Sequence, residues 1–496
     1  MDLGNYASLA HFLPELLLSS GVLLIVIVDL LVTNKSHLGD LALIITAGAL
    51  LLIALTPVTA NAMLFHRMLV FDGFAMFFRA LIALAALVAV WMSMGSEEVH
   101  GCDQGEYYAI LLASTLAMFL MAESANLLMA YLALEFVSLT SYILTGFLRH
   151  NRRSLEAALK YLIYGGVASG TMIYGMSWIF GITGSLDFAT INHALNTPGM
   201  LPVLAVFISL VLILAGMGYK VSSVPFHMWA PDVYTGAPIP ITTFLAIGSK
   251  AAGFALLTRF FFPAISSLTT NGSWQALKGV DWPQLLLVIC VITMTLGNLA
   301  ALQQTNMKRL LAYSSIAQAG YALMGFVVLS NDGIRAMLFY LFAYYVMDAG
   351  AFLVVMIVAN STGREDIDAY RGLAWRGGIV PAIALSIFLL SLTGIPLTVG
   401  FIGKFYLFAA VIHGQFYLLA IIGVLNSVVS LYYYMRPIKT MFLDTPKGDE
   451  GSLTPDTWNY GLMGVLACAT IALGLYWTPI IAFANRSLNF FLGPPS

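Results

Sequence analysis

Residues 218–238 read GYKVSSVPFHMWAPDVYTGAP, and they close an apolar run that begins near residue 200. Proline has no backbone N–H and collides with the preceding helical turn, so Pro225 and Pro231 cannot lie inside a straight helix. An interrupted helix is tolerated at membrane depth only where protein or trapped water satisfies the freed backbone groups. The stretch therefore predicts a broken membrane helix, with Lys220 just before the break.

The composition of the whole chain supports a membrane protein. Apolar residues make up 60% of the sequence, charged residues make up 9%, and the mean hydropathy is +0.89, whereas soluble domains carry about 25% charged residues. One span requires about 20 apolar residues. The sequence predicts an all-α polytopic membrane protein with about fourteen transmembrane helices, at 10–33, 38–57, 70–94, 107–122, 125–148, 155–182, 200–233, 239–262, 283–303, 309–331, 333–360, 378–413, 415–440 and 457–483.

A second interruption is predicted in the span at 378–413. This span is too long for one straight helix and carries Gly394-Ile-Pro396 in its middle. An internal repeat accompanies the two interruptions, because KYLIYGGVAS from Lys160 parallels KRLLAYSSIA from Lys308. Repeats with paired discontinuous helices are typical of transporters that carry an ion pathway near the membrane midplane.

Four ionisable side chains stand alone inside long apolar runs, and they are Glu135, Lys220, Lys250 and Lys404. A charged side chain at mid-membrane depth costs roughly 2.5–3.5 kcal/mol on insertion scales, so it usually faces a wet interior where protons or ions move. Structural alternatives stay open, since nearby hydroxyls can hold a carboxylate and a lysine can extend to the membrane surface. The isolation of the four residues favours charge transport.

Secondary candidates lie near these positions. His227, close to the first interruption, is a candidate proton relay, and Asp232 is interpreted as a residue that fixes the same loop. Glu156 and Lys160 are four residues apart on one helical face, the spacing of an ordinary stabilising ion pair. A relay role for this pair is the alternative.

The remaining polar residues do not indicate a metal or redox site. Cys102, Cys290 and Cys468 show no CxxC spacing, so neither an iron–sulfur nor a zinc site is predicted. Asp348 and Arg335, in the eleventh span, are interpreted as a packed pair or as helix-end charges. The net charge of −2 excludes a strongly basic chain built for nucleic acid.

The short loops predict the orientation, because basic residues accumulate on the inner side of the membrane. Loops after even-numbered spans hold little beyond Arg67 and Lys278, which places both termini on the outer side. Loops after odd-numbered spans hold most of the basic residues, among them Lys35, Arg149, Arg152, Arg153, Lys308, Arg309, Arg364, Arg371, Arg376, Arg436, Lys439 and Lys447.

Four strings carry a family resemblance, namely RSLEAALKY at 153–161, the opening stretch at 218–238, KRLLAYSS at 308–315 and GIPLTVGFIGKFY at 394–406. They resemble subunit N of bacterial respiratory complex I, the NADH:quinone oxidoreductase, within the antiporter-like subunit family. The resemblance covers nearly the whole chain. Lys404 fits the N type, since the M type resembles it with a glutamate there and the L type carries a long C-terminal lateral helix.

The resemblance implies two inverted five-helix repeats in which helices 7 and 12 are discontinuous. The corresponding division of the chain is 1–106 for three N-terminal helices, 107–262 for helices 4–8, 283–440 for helices 9–13 and 441–496 for helix 14.

The resemblance also implies a proton path through a glutamate and three lysines. These residues map to Glu135 on helix 5, Lys220 at the break of helix 7, Lys250 on helix 8 and Lys404 in helix 12. Several relatives place a histidine where this chain has Gln318. Because glutamine cannot titrate, this step is expected to rely on water or on a neighbour such as Tyr313.

The implied function is proton translocation by a membrane subunit of an NADH:quinone oxidoreductase, an enzyme complex whose redox reaction takes place in other subunits. No cofactor is expected in this chain, whereas NADH, FMN, iron–sulfur clusters and quinone are expected in the complex. The implied partners are the M-type antiporter-like subunit, the small K-, J- and A-type subunits and lipid, in the bacterial inner membrane.

Electrostatics suggests how such a path would work. At about 7 Å and an effective dielectric constant of about 20, a Glu–Lys pair interacts by roughly 2.4 kcal/mol. Movement of Glu135 toward or away from Lys220 would therefore load or empty the lysine. Water chains would pass the proton by way of Lys250 to Lys404 and outward.

Three other functions remain open at this point. The same scaffold serves cation/proton antiporter complexes and membrane-bound hydrogenases. A stand-alone carrier for a small solute would need a polar cavity with several hydrogen-bonding groups, and an intramembrane enzyme would need a nucleophile with its base or a metal cluster. The sequence offers isolated titratable residues instead.

Overall fold

The computed structural model describes residues 2–57, 61–100, 103–197, 202–269, 274–446 and 457–488. These residues are mostly helical. The helices that build the molecule are α1 (Leu13–Leu31), α2 (His37–Leu55), α3 (Gly73–Met94), α4 (Gln104–Glu123), α5 (Leu127–Thr145), α6 (Arg152–Thr183), α7 (Val203–Val221), α8 (Trp229–Gly236), α9 (Ile239–Phe261), α10 (Trp282–Ala301), α11 (Met307–Val327), α12 (Asn331–Thr362), α13 (Ile379–Thr393), α14 (Val399–His413), α15 (Tyr417–Phe442), α16 (Thr457–Leu475) and α17 (Thr478–Arg486).

Short elements connect these helices. Residues Leu245–Ser249 of α9 form a π-helical turn, which is wider than an α-helical one. Two antiparallel hairpins are formed by β1 (Ala62–Leu64) with β2 (Leu69–Phe71) and by β3 (Ser266–Leu268) with β4 (Trp274–Ala276). The short helical segments are Asn5–Ser8, Leu9–His11, Glu97–His100, Phe188–Asn196 and Ile367–Tyr370.

The prediction of an all-α polytopic membrane protein is confirmed. Twelve of the described helices are long and apolar enough to cross a membrane, and α13 and α14 are shorter apolar helices. The long spans at 200–233 and 378–413 are each divided into two helices, as predicted. The span at 457–483 differs from the prediction, because α16 ends at Leu475 and α17 begins afresh with Pro479 in its first turn, where proline is tolerated.

The same junction occurs twice along the chain. At the start of α5 the Asn126 side chain caps the helix, and its backbone bridges to Asp187 just beyond α6. At the start of α11 the Asn306 side chain caps the helix, and its backbone bridges to Asp366 just beyond α12. Both α6 and α12 contain 32 residues. The sequence parallel between the segments from Lys160 and Lys308 had paired α6 with α11 as equivalent helices. The two junctions instead make α5 equivalent to α11 and α6 equivalent to α12.

The two junctions lie at opposite ends of the helices. Four helices cross the bundle before α5 and nine cross it before α11, when the broken pair of α7 and α8 counts as one. Because four is even and nine is odd, α5 and α11 begin at opposite ends. Arg67, in the loop after α2, pairs with Asp187 at 3.2 Å. At the other end, Glu97 after α3 and Lys308 at the start of α11 line one polar pocket of about 700 Å³. The loops after odd-numbered predicted spans therefore gather at one end of the molecule.

The central helices are much more buried than the peripheral ones. Every residue in the apolar window of α9 is buried, and 94% are buried in the windows of α11 and α12, against 28% in those of α1 and α16. Polar residues on α9, α11 and α12 are therefore enclosed by protein, which is the condition under which charged groups at membrane depth interact strongly.

Buried charges also occur outside the four predicted positions. Arg79 on α3 lies 2.8 Å from Glu15 and 2.5 Å from Glu123, and all three side chains are fully buried. Asp72 accepts two hydrogen bonds from the Arg259 guanidinium, at 2.6 and 2.7 Å. The interpretation that only four ionised side chains stand inside the apolar region was too narrow, because the partners in each of these groups come from separate segments and meet only when the helices pack.

Candidate functional site

The break between α7 and α8 is closed by hydrogen bonds from the protein. The backbone N–H of Ser223 donates to the Gly218 carbonyl at 2.8 Å. The indole N–H of Trp229 donates to the Tyr219 carbonyl at 3.0 Å. Backbone groups that the helix leaves free are thus satisfied within the fold, as an interruption at membrane depth requires. Lys220 lies between these bonds, in the last turn of α7.

Lys220 and Glu135 come together across α7 and α5. Lys220 is fully buried, and its Nζ lies 3.5 Å from Ser138 Oγ, the outer limit for a hydrogen bond. Glu135, almost one turn earlier on α5, interacts electrostatically with Lys220, and its Oε1 has no hydrogen-bond partner among the described residues. The hydroxyls of Ser138 and Thr140 donate to backbone carbonyls of α5. Neither hydroxyl therefore holds the Glu135 carboxylate.

Lys250 follows the π-helical turn of α9 and reaches across to α11. Its Nζ donates to Ser315 Oγ at 2.5 Å and to the Ser315 carbonyl at 2.9 Å. The Ser315 hydroxyl lies 2.6 Å from the Tyr344 hydroxyl on α12, and Tyr344 in turn donates to Asp348 at 2.9 Å. The site around Lys250 is therefore a row of polar groups that joins the three most buried helices.

The interpretation of Asp348 and Arg335 as a packed pair or as helix-end charges was wrong for Asp348. Arg335 pairs with Asp332 at 3.0 Å near the start of α12. Asp348 lies in the interior of α12 and is fully buried. The two residues are thirteen positions apart in a straight helix, so they lie about 20 Å from each other.

Gln318 lies one turn beyond Ser315 on α11, among tyrosines. Its side-chain amide donates to the Tyr434 hydroxyl and to the Leu392 carbonyl, both at 3.1 Å, and it accepts from the Tyr340 hydroxyl. The suggestion that Tyr313 assists this step is not supported by its position. Tyr313 is partly exposed and lines a groove on the outside of the bundle, near Arg309.

Lys404 occupies the second half of the broken pair α13–α14. Its Nζ donates to the Thr393 carbonyl at 2.9 Å, where α13 ends, and to Ser427 Oγ on α15 at 2.8 Å. The ring centre of Tyr321 lies 4.3 Å from the same nitrogen. Lys404 is 3% exposed, and no charged group of the described chain acts on it. Among the described residues, its nitrogen therefore contacts one hydroxyl, one carbonyl and one aromatic face.

Lys160 belongs to a charge cluster at one end of the bundle. It lies 2.8 Å from Glu156 and 2.8 Å from Asp232. Asp232 also accepts from Arg309 at 2.7 Å. The stabilising pair predicted for Glu156 and Lys160 is present, and Asp232 fixes α8 to both α6 and α11. These side chains are partly exposed, in contrast to the three buried lysines.

His227 lies in the turn between α7 and α8. It is 7% exposed, and its Nδ1 has no hydrogen-bond partner in the part of the chain that the structure describes. Within the same residues, no three side chains of the metal-binding types are grouped closely enough to hold a metal ion. His227 is thus a single enclosed titratable group beside the break.

Comparison with known proteins assigns this architecture to a family. A family model described as NADH:quinone oxidoreductase/Mrp antiporter, transmembrane, matches residues 124–430. The chain belongs to this NADH:quinone oxidoreductase/Mrp antiporter family. The matched region runs from the start of α5 into α15 and contains Glu135, Lys220, Lys250 and Lys404.

Full-length relatives within the NADH:quinone oxidoreductase/Mrp antiporter family confirm the resemblance to the N type. NADH-quinone oxidoreductase subunit N of Anaeromyxobacter sp. strain Fw109-5 is 44% identical, over 99% of this chain and 98% of the relative. Subunit N 2 of Sorangium cellulosum is 46% identical, over 98% of each chain. Subunit N of Chlorobium chlorochromatii is 45% identical, over 98% of this chain and 96% of the relative.

Solved structures share the fold of the NADH:quinone oxidoreductase/Mrp antiporter family. A chain of respiratory complex I from Thermus thermophilus with bound aureothin has a TM-score of 0.78 and 29% identity, covering 95% of this chain and 98% of that one. A chain of the archaeal membrane-bound sulfane sulfur reductase has a TM-score of 0.83 and 22% identity, with 97% of each covered. A chain of the Mrp complex from Dietzia sp. DQ12-45-1b has a TM-score of 0.79 and 19% identity, again with 97% of each covered.

Sequence analysis assigned no role in the site to several residues of this member of the NADH:quinone oxidoreductase/Mrp antiporter family. Ser315, Tyr344, Asp348 and Tyr434 all contact a candidate residue or extend its hydrogen bonds. One signal was present, because Tyr344 and Asp348 are four residues apart and so share a face of α12. Hydroxyl residues are otherwise too common in membrane helices to be selected without knowledge of which helices are neighbours.

Proposed function

We propose that this chain is the N-type subunit of a bacterial NADH:quinone oxidoreductase and that it carries protons through the membrane. The full-length similarity to subunits of that name supports the assignment to the complex. In this assignment the complex oxidises NADH and reduces quinone in other subunits, which hold the FMN and the iron–sulfur clusters, and this chain supplies a path for protons.

One observation carries the proton path. Three lysines, Lys220, Lys250 and Lys404, are at most 3% exposed, and each follows or adjoins an irregularity in a helix. A buried ammonium group costs several kcal/mol unless it is compensated, and hydroxyls and carbonyls are the main groups that approach these three. Groups of this kind can hold a lysine in its charged or its neutral form, as a carrier of protons requires.

The order of the path follows from the helices. Glu135 is the carboxylate beside Lys220, and Lys250 connects through Ser315 to α11. Gln318 on the same helix continues to the region of Lys404. We infer that protons pass in this sequence, with water between the groups. His227 and the pair of Glu156 and Lys160 serve as secondary relays near one end, and in this proposal Tyr434 and Tyr340 replace Tyr313 as partners of Gln318.

The chain is proposed to consist of four parts. They are 1–106 with three N-terminal helices, 107–262 and 283–440 as two inverted five-helix repeats, and 441–496 with the last helix. The twofold junction at Asn126 and Asn306 supports the repeats. The basic residues of the odd-numbered loops support inner-membrane insertion with both termini on the outer side. The proposed neighbours are an M-type antiporter-like subunit, the small K-, J- and A-type subunits and lipid.

Purification from the native membrane tests this proposal. The chain with a C-terminal affinity tag is isolated in mild detergent, and its partners are identified by mass spectrometry. The expected result is a complex that contains flavin and iron–sulfur subunits, oxidises NADH with quinone and acidifies the lumen of inverted vesicles. Isolation of the chain without redox subunits, or without NADH-dependent proton uptake, would contradict the proposal.

A subunit of a cation/proton antiporter complex is the second candidate, because a chain of the Mrp complex from Dietzia sp. shares the fold, and the sequence resemblance extends this alternative to a membrane-bound hydrogenase. In the first case the chain would purify with other membrane subunits alone and would exchange sodium or potassium for protons. In the second case it would purify with a hydrogenase module in place of an NADH-oxidising one. The same purification therefore separates all three functions.

A further inference from the structure

The Lys250 site contains a buried acid that the proton path described above does not use. A continuous row of hydrogen bonds runs from Lys250 Nζ to Ser315 Oγ at 2.5 Å, from Ser315 Oγ to the Tyr344 hydroxyl at 2.6 Å and from Tyr344 to Asp348 Oδ2 at 2.9 Å. The four side chains come from α9, α11 and α12. A lysine and a carboxylate are thus joined through two hydroxyls instead of touching.

Asp348 has no other charged partner in the described structure. It is fully buried, it makes no ion pair with a described residue, and its Oδ1 has no hydrogen-bond partner among them. An ionised carboxylate in such a place is costly unless a positive charge compensates it. Lys250 is the lysine with which Asp348 interacts electrostatically. The two residues therefore share one charge balance although they do not meet.

The donors of the row point in a single direction. An ammonium group has no acceptor, so Lys250 donates to Ser315. An ionised carboxylate has no donor, so the Tyr344 hydroxyl donates to Asp348. Because Tyr344 has one hydroxyl proton and donates it to Asp348, the hydrogen bond between the two hydroxyls must use the proton of Ser315. Every hydrogen is already placed for transfer from Lys250 toward Asp348.

We propose that Asp348 is a proton acceptor for Lys250, reached through Ser315 and Tyr344, and that it stores a proton deep in the core of the molecule. This inference rests on the proposed proton path. In one transfer Lys250 gives a proton to Ser315 Oγ, Ser315 gives its own hydroxyl proton to Tyr344, and Tyr344 gives its proton to Asp348. Three N–H or O–H bonds break and three O–H bonds form. An ammonium and a carboxylate become an amine and a carboxylic acid, so the net charge is unchanged.

The arrangement gives the transfer a simple advantage in a medium of low dielectric constant. Both end states are neutral overall, so the buried site never holds an uncompensated charge while the proton moves. Tyr340 lies one turn before Tyr344 on the same face of α12 and donates to Gln318. The face of α12 that holds Asp348 and Tyr344 therefore also holds Tyr340, which contacts Gln318 on the proposed path toward Lys404.

Variants of the row test the proposal in the intact complex reconstituted into vesicles. Asp348→Asn keeps the shape of the side chain and cannot accept a proton, and Tyr344→Phe removes only the connecting hydroxyl. Both are expected to lower the number of protons moved through this path by about 100-fold or more, the lower end of what a positioned acid or base contributes. Asp332→Asn is the matched control, since it removes an exposed carboxylate from the same helix and should leave transport unchanged.

Infrared difference spectroscopy detects protonation of the carboxyl group itself, a signal that would not change if Asp348 had only a structural role. The spectrum of the working complex should contain the carbonyl band of a protonated carboxyl group that is absent in Asp348→Asn and is still present in Asp332→Asn. If Asp348→Asn does not assemble, Tyr344→Phe decides, because the band should then fail to appear on turnover. Full transport in Tyr344→Phe, or an unchanged carboxyl band in Asp348→Asn, would overturn the proposal.

Lys250→Ala distinguishes this inference from the function on which it rests. Loss of transport in Lys250→Ala together with full transport in Asp348→Asn and Tyr344→Phe would leave the proposed path intact and remove Asp348 from it. Full transport in Lys250→Ala would instead contradict the proposed path itself.

Discussion

The Lys404 ammonium group faces the ring of Tyr321 at 4.3 Å from its centre, and its hydrogen bonds go to the Thr393 carbonyl and Ser427. At a desolvated site a cation over an aromatic face gains about 2 kcal/mol, which is less than the several kcal/mol that burial of a charged group costs. No ion pair with a described residue therefore holds the charge of Lys404, which is the arrangement that the proposed role as a proton carrier requires.

Replacement of Lys404 separates a proton carrier from a fixed charge. Arginine keeps the positive charge but does not release its proton, since its pKa exceeds about 12. Lys404→Arg is therefore expected to impair NADH-driven proton uptake nearly as much as Lys404→Ala, while the complex remains assembled. Proton uptake into inverted vesicles is measured beside NADH oxidation. Full pumping by the arginine variant with loss in the alanine variant would mean that the position needs only a fixed charge.

The Glu135–Lys220 pair gives a second prediction. Glu135→Gln and Lys220→Ala each remove a titrating group without adding volume. Both should therefore lower proton pumping by about 100-fold or more, the lower end of what a positioned acid or base contributes, in a complex that still assembles. Glu106→Gln and Lys439→Ala are the controls, because both residues are exposed. Normal pumping in either test variant, with assembly verified on a native gel, would remove that residue from the path.

The Arg79 cluster should control stability. Removing this guanidinium leaves Glu15 and Glu123 buried without their compensating charge, a change that typically costs 3–5 kcal/mol. Arg79→Met should therefore lower the thermal transition of the detergent-solubilised complex and reduce assembly. Arg335→Ala breaks a partly exposed pair with Asp332 and should cost only about 0–1 kcal/mol. An Arg79→Met complex as heat-resistant as the control would show that the cluster adds no net stability.

Accessibility labelling checks the orientation. Single cysteines at Asn5 and Asn151, both exposed, are introduced into a variant without native cysteines. A membrane-impermeant maleimide added to intact cells with a permeabilised outer membrane is expected to label position 5, while position 151 reacts only in inverted vesicles. Labelling of both positions from one side would contradict the fourteen-span topology.

Hydropathy predicted the membrane helices, and the absence of other charges nearby in the sequence predicted the candidate site residues. Both signals are local, so neither shows which helices become neighbours. Lys220, Lys250 and Lys404 stand out because no other charge is near them in the sequence. Tyr434 could not be found in this way, since it lies 116 positions from Gln318 and nothing local distinguishes it from neighbouring tyrosines. Its role depends on which helices become neighbours, and that is decided by packing of the whole bundle.

Asp348 shows the same limit for a residue that was noticed in the sequence but was assigned the wrong surroundings. A single acid in an apolar helix was visible, yet a partner was sought on its own helix, at Arg335. The partner lies on α9 and is reached through α11, so three segments must assemble before the relationship exists. Arg79 was overlooked for a related reason, because Glu15 and Glu123 reach it from separate helices.

The matching junctions at Asn126 and Asn306 bear on the ancestry of the chain. Each joins the start of one helix to the segment beyond a 32-residue helix, and the two copies are found at opposite ends of the bundle. A five-helix unit that inserted in both orientations and paired with itself would produce this arrangement after gene duplication and fusion. Divergence of the two copies would then have kept an interrupted helix in each, while Lys220 lies before the break of its pair and Lys404 lies after the break of the other.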